Sequence, residues 1–123
     1  MSIRKLLARS ASSMSTWGLR HIARRPAANM PGKIALKLDP QIIAESMGKV
    51  TEGSIVVVGT NGKTTITNMI ADALERQGKT VACNRTGANL AYGVATTLLQ
   101  TKGSVEWGVF ESDELWLAHT LPQ

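Results

Sequence analysis

The strongest constraint on this chain is the segment Ile55-Val56-Val57-Val58-Gly59-Thr60-Asn61-Gly62-Lys63-Thr64-Thr65. Four β-branched residues run into a glycine loop, and a lysine and two threonines open the amphipathic stretch that follows. A buried strand, a tight turn and a helix start in that order aim a row of backbone N–H groups at one point, where they bind phosphate oxygens. Gly59 and Gly62 let the backbone come close. Lys63 neutralises charge on the β- and γ-phosphates, and the Thr64 hydroxyl ligates Mg²⁺. The segment Gly59, Thr60, Asn61, Gly62, Lys63, Thr64 and Thr65 is therefore expected to bind a nucleoside triphosphate, ATP, with Lys63 as the catalytic cation. The general loop pattern asks for a glycine at position 57, where Val57 stands. A plain Gly-Asn turn with a solvated lysine is the alternative, but it gives no reason for the strand before and the helix after.

The rest of the chain reads as an α/β unit built around that loop. Pro26 to Gly32 is rich in breakers and separates an arm from a domain. Ile34 to Leu38 is expected as a short strand. A helix should then open with Asp39 as N-cap and Pro40 at its first position, ending before Gly48. Ser54 to Val58 reads as a central strand buried on both faces. The next helix spans about 64–77, with Ile66, Met69, Ile70, Ala73 and Leu74 on one apolar face and Gly78 as its left-handed cap. A strand at 80–83 follows, then the polar loop 84–89. A helix comes next, with Leu90, Ala91, Val94, Ala95, Leu98 and Leu99 on one face and Gly93 allowing close packing on the sheet. Val105 to Phe110 makes a third strand, and a final short helix is expected over 113–119. Short β-α-β connections imply a parallel sheet with right-handed crossovers and flanking helices. The domain organisation expected is a basic arm at 1–29 and, at 30–123, the N-terminal part of an ATP-binding domain that looks truncated.

Charge is unevenly spread. The net charge is +5, yet residues 1–38 hold eight Lys/Arg and no acid, while residues 39–123 hold six Lys/Arg against nine Asp/Glu. The basic character therefore belongs to the arm. Ile3, Leu6 and Leu7 with Arg4, Lys5 and Arg9 fit a short amphipathic helix able to rest on an anionic membrane surface. A solvated arm, a helix packed on its own domain, and an organelle transit peptide are the other readings. No aromatic-interleaved basic patch accompanies the charge, so no nucleic-acid partner is expected. No apolar run approaches the roughly 18 residues of a membrane span. A single cysteine, Cys83, excludes an internal disulfide and points to a reducing compartment.

Ligands of open parallel sheets bind beyond the carboxyl ends of the strands. Three such ends, 59–65, 84–89 and 111–114, should meet at one crevice. Glu111 ends an apolar strand, where a carboxylate completes the Mg²⁺ shell opposite Thr64; otherwise it is a solvated strand-end acid. Asp113 reads better as a helix cap than as a metal neighbour, and Glu114 as a first-turn acid. Asn84, Arg85 and Asn89 stand beside the crevice as substrate candidates. Arg85 has the fork to grip a phosphate or carboxylate, although Gly87 and the two asparagines also suit simple turn chemistry. His21 and His119 have no metal-spaced partners. Trp107 and Trp116 should pack the core or cover an edge.

The loop Gly59 to Thr65 resembles the ATP loop of the Mur ligase family, the ATP-dependent amide-forming enzymes of peptidoglycan synthesis. Pro31-Gly32-Lys33-Ile34-Ala35-Leu36-Lys37, Asn84-Arg85-Thr86-Gly87-Ala88-Asn89-Leu90 and Glu111-Ser112-Asp113-Glu114 narrow the resemblance to the MurT group, the Mur-ligase-like subunits of lipid II isoglutaminyl synthases. It covers about residues 30–123. The resemblance implies ATP-driven amidation of the D-glutamate α-carboxylate of lipid II through an acyl phosphate. It implies ammonia from a GatD-like glutaminase partner, and a cytoplasmic place near the inner leaflet. It implies Lys63 on the ATP phosphates and Thr64 and Glu111 on Mg²⁺. Family members are several times longer and carry a four-cysteine zinc insert and a C-terminal domain, so zinc is expected only where such an insert exists outside these residues. Folylpolyglutamate synthases are related but usually carry Gly-Ser after the lysine, where Thr64-Thr65 stands here. A non-catalytic nucleotide-binding module with a membrane-touching arm is the reading from another class.

Overall fold

The computed structural model describes residue 3, residues 6–12 and residues 30–117, apart from the Trp116 side chain. The expectations for Arg4, Lys5, His21, His119, the Trp116 side chain and the linker residues 26–29 lie outside those residues. The elements are α1 (6–12), α2 (Met30–Leu38), α3 (Ile42–Ser46), β1 (Val50–Val57), α4 (Lys63–Arg76), β2 (Val81–Cys83), α5 (Ala91–Gln100) and β3 (Val105–Glu111). Two 3₁₀ turns, Met47–Lys49 and Glu114–Trp116, precede β1 and follow β3.

The sheet is parallel, with strand order β1-β3-β2. The β1-α4-β2 crossover runs one way across it and β2-α5-β3 runs back. With right-handed connections the two helices take opposite faces. On one face Ala82 and Phe110 pack with Ala91, Val94, Ala95 and Leu98 of α5, Ala35 of α2, and Ile42 and Ile43 of α3. Ala8 of α1, fully buried, joins the same cluster. Residues 6–12 thus form a helix packed on its own domain.

Four readings of the sequence are corrected. Ile34 to Leu38 is helix, not strand. Pro31 sits in its first turn, where an N–H has no intrahelical partner to lose. Gly32, one residue on, lets α2 cross α5 backbone to backbone: a side chain there would strike the Tyr92 carbonyl. The Gly32 N–H also donates to Thr96 Oγ1 at 2.8 Å. Second, Asp39 caps a turn rather than a helix, its Oδ1 accepting from the Gln41 N–H at 3.1 Å, and the helix starts at Ile42. Third, the central strand is β3, whose last four residues are buried, while β1 lies at an edge of the described sheet and is only half-buried. Trp107 covers that edge, with its ring over Gly53 and its Nε1–H donating to Glu52 at 2.8 Å.

Fourth, α4 turns a different face to the sheet. Thr67 and Ala71 are buried, flanked by half-buried Ile70 and Leu74, while Ile66 is 48% and Met69 65% exposed. Small side chains occupy the line of closest approach to the sheet, and the larger ones fall to its flank. The end of α4 matches expectation: Gly78, at φ +82°, donates to Glu75 O, and Lys79 N–H donates to Leu74 O. That is the paired-bond cap of a left-handed glycine. Lys49 closes the C-terminal end of α5, its Nζ donating to Leu98 O at 2.8 Å and Thr101 O at 2.7 Å.

Candidate functional site

Register builds the site. Val57 at the end of β1 pairs with Glu111 at the end of β3, and Cys83 at the end of β2 pairs with Val109. The three following segments therefore leave the sheet at nearly the same level, and the structure brings all three together.

The first is the loop Gly59 to Gly62. Gly62 adopts φ +79° and caps α4, whose first turn carries neither a side-chain cap nor an acid. A left-handed residue there would strain any side chain. It leaves the first N–H groups of a 14-residue helix facing the loop, with the dipole favouring an anion. The Lys63 ammonium folds back over the loop and donates to Gly59 O at 2.6 Å. A phosphate in the loop would offer that ammonium a charged acceptor in place of a neutral carbonyl. Thr60, Asn61, Thr64 and Thr65 are exposed.

The second is the strand-end acid. Glu111 is 3% exposed, and its Oε2 accepts a hydrogen bond from Thr64 Oγ1 at 2.6 Å. A hydroxyl and a carboxylate in that contact have the chemistry of a Mg²⁺ site whose remaining ligands are phosphate oxygens and water. Among the described residues no group of three or more His, Cys, Asp and Glu could hold a metal ion. The hydroxyl and the carboxylate would supply two oxygen ligands to a hard cation, the others coming from phosphate and water. Asp113 caps the following turn, its Oδ1 accepting from the Leu115 N–H at 3.0 Å, as expected. Glu114 sits exposed in that turn.

The third is the loop 84–89. A tight turn over 84–87 is closed by the Gly87 N–H donating to Asn84 O at 3.1 Å. The Asn84 side chain is buried and bonded to Glu111 and Ala88. Asn89 O accepts from the Asp113 N–H at 2.9 Å, which ties this loop to the segment after β3. Gly93 serves this loop rather than the sheet, since a side chain there would strike the Ala88 carbonyl. Arg85 points to α4, where its guanidinium meets Asp72 at 2.7 Å and Glu75 at 2.8 Å. The Asp72 bond, more than the Glu75 one, raises its pKa further. A ligand that used Arg85 would have to draw it from these two acids. Burial pushes the Cys83 thiol up to about 11, against a smaller opposite effect of Arg85.

Gly87 is the residue that sequence reasoning undervalued. It adopts φ +74°, and a side chain there would lie 3.0 Å from Thr64 Oγ1 and 3.7 Å from Glu111 Oε2. The loop backbone thus roofs the hydroxyl–carboxylate pair. The pattern Asn-x-x-Gly of a four-residue turn was the available signal.

Residues 57–119 match the Mur ligase middle domain. The chain is 36% identical over 104 residues to the lipid II isoglutaminyl synthase (glutamine-hydrolyzing) subunit MurT of Streptococcus pneumoniae (strain ATCC BAA-255 / R6). That alignment takes in 85% of this chain and 22% of the relative. It is 32% identical over 112 residues to the subunit of the same name in Staphylococcus aureus (strain COL), covering 82% of this chain and 25% of that one. The chain spans about a quarter of the length of the curated relatives it matches. It belongs to the Mur ligase family.

Proposed function

We propose that this member of the Mur ligase family is the ATP-binding part of a ligase that amidates the D-glutamate α-carboxylate of lipid II. The observation that carries the reading is the 2.6 Å contact between Thr64 and Glu111 beside a helix start that has no side-chain cap. The relatives are named as subunits of a glutamine-hydrolysing lipid II isoglutaminyl synthase, which supports the choice of substrate and of a glutaminase partner.

In this reading the α4 N-terminus and the loop 59–62 hold the triphosphate, and Lys63 leaves Gly59 O for the phosphate oxygens. Thr64 and Glu111 would hold Mg²⁺, which supplies charge stabilisation to a transferring phosphoryl group. The γ-phosphoryl group passes to the substrate carboxylate, giving ADP and an acyl phosphate. Ammonia released from glutamine by the partner attacks the acyl carbon, phosphate departs, and an amide remains after proton loss. Concentrated positive charge around the phosphoryl group is what this chemistry needs. Asn89, and Arg85 if drawn from α4, border the substrate side. The work is cytoplasmic and peripheral to the inner leaflet. Among the described residues, exposed Leu6 and Leu7 and a hollow of about 400 Å³ lined by Leu7, Lys37, Leu38 and Pro40 support a surface contact there. Among the described residues no helix is long and apolar enough to cross a membrane.

The test is the complete protein with its co-purified partner, supplied with lipid II, ATP, Mg²⁺ and glutamine. ADP release coupled to conversion of the stem carboxylate to an amide, read by mass spectrometry, is the expected result. Lengthening of a folate glutamate tail in place of amidation would overturn the assignment.

A further inference from the structure

We infer that Asn84 is a positioning residue that sets the aim of Glu111 at Thr64 and holds the loop 84–88 over the pair. The inference rests on the metal-nucleotide reading of that pair and extends it to a residue that touches neither ligand.

Asn84 is 3% exposed. Its Oδ1 accepts the Glu111 N–H at 2.8 Å, and its Nδ2 donates to the Glu111 carbonyl at 2.9 Å. One side-chain amide thereby binds both main-chain groups of Glu111, as a neighbouring strand would. β2 ends at Cys83, opposite Val109. The asparagine side chain continues the ladder beyond that point and fixes the peptide from which the carboxylate projects. Its second N–H donates to Ala88 O at 2.8 Å and closes the loop 84–88 into a ring. Gly87 lies within that ring and against Thr64. The same amide therefore holds the strand end below the carboxylate and the loop above it. Both donors of the amide are used within the protein, so its part in the site is exerted through Glu111 and the loop.

Only an amide carries a donor pair and an acceptor on so short a stem. Aspartate keeps an acceptor for the Glu111 N–H and loses both donations. Alanine loses all three bonds. Removal of an outer partner that orients a ligating carboxylate typically lowers metal affinity about 10–100-fold.

The experiment compares the complete protein with N84D and N84A, and with L98A, a residue of α5 whose side chain is buried in the core. Circular dichroism and thermal melting establish folding. Two quantities are read: the Mg²⁺ concentration for half-maximal binding of a fluorescent ATP analogue, and the analogue's affinity at saturating Mg²⁺. We expect the Mg²⁺ requirement to rise about 10-fold or more in both Asn84 variants, with the affinity at saturating Mg²⁺ changed far less. L98A should melt earlier with an unchanged Mg²⁺ requirement. A folded N84A with the wild-type Mg²⁺ requirement overturns the inference, as does a Mg²⁺ shift of the same size in L98A. Failure of both Asn84 variants to fold also overturns it, because the residue is then purely structural. Absence of Mg²⁺-dependent binding in the unaltered protein is a different result, and it removes the nucleotide reading itself.

Discussion

Adding one methyl group at Gly87 tests the site more sharply than removing a charged residue. Gly87 has φ +74°, and Gly103, in the turn before β3, has φ +69°. An alanine in this left-handed region costs roughly 1–2 kcal/mol. At Gly103 nothing lies within 4 Å of the new methyl, so Gly103→Ala carries the backbone cost alone. At Gly87 the methyl would lie 3.0 Å from Thr64 Oγ1 and 3.7 Å from both Thr64 Cγ2 and Glu111 Oε2. Something must give by a few tenths of an ångström. The Thr64 hydroxyl is already committed to Glu111 at 2.6 Å, so yielding means rotating it off the carboxylate. Overpacking of this kind adds about 1 kcal/mol or more. We therefore expect Gly87→Ala to be about 1 kcal/mol less stable than Gly103→Ala, a gap of a few degrees in melting temperature for a domain this size. Only Gly87→Ala should also lose Mg²⁺-dependent nucleotide binding. Denaturant titration and nucleotide binding on the two variants decide the matter. Equal stability and equal binding in both would refute the account of the loop as a roof over the hydroxyl–carboxylate pair.

Three further outcomes are expected. Lys63→Ala should abolish ATP binding in the complete enzyme with the melting temperature nearly unchanged, since among the described residues its ammonium bonds a neighbouring loop carbonyl alone; unaltered nucleotide affinity by calorimetry removes the central assignment. Glu111→Ala should weaken the Mg²⁺ response of the enzyme, and a wild-type metal titration retires the acid's role. The Cys83 thiol, raised from the ordinary 9.0 to about 11 by burial, should be alkylated slowly at neutral pH. Because the folded state holds this proton more tightly, its contribution to stability is complete below pH 9 and is lost as pH rises through about 11. Denaturation midpoints of Cys83→Ala and the unaltered chain between pH 8 and 11 should therefore converge at the alkaline end, and a constant difference across that range contradicts the assignment.

The loop, the helix after it, the parallel sheet and the strand-end acid are all legible in the sequence, because each rests on local chemistry. Gly59 to Thr65 states its own geometry through glycine placement, and Gly78 states the end of α4. The errors lie where a residue's fate depends on what packs against it. Ile34 to Leu38 alternates well enough for a strand, yet the close approach at Gly32 to Tyr92, 60 positions away, makes it a helix. Ile66, Met69 and Ala73 form a regular apolar stripe, yet the sheet takes Thr67 and Ala71 because only small side chains fit where helix and sheet come closest. Strand order was equally hidden: nothing in a list of segments says that β3 inserts between β1 and β2.

That insertion explains why the site could still be read. A strand entering between two others brings its carboxyl end between theirs, whatever the details of packing on either face. Glu111 consequently arrives between the nucleotide loop that follows β1 and the turn that follows β2, within a hydrogen bond of Thr64 on one side and of Asn84 on the other. Topology alone delivers the acid to the crevice. Aiming it takes the side chains around it, and there the sequence left alternatives open: Asn84 and Arg85 stood as substrate candidates or as turn residues, and Gly87 as a turn former. In the fold Arg85 is held by two acids of α4, while Asn84 and Gly87 hold the strand end and the loop around the pair. Residues that bring charge to a reaction announce themselves by type and spacing. Residues that keep that charge pointed in one direction do so through main-chain contacts, and these appear only once the chain is folded.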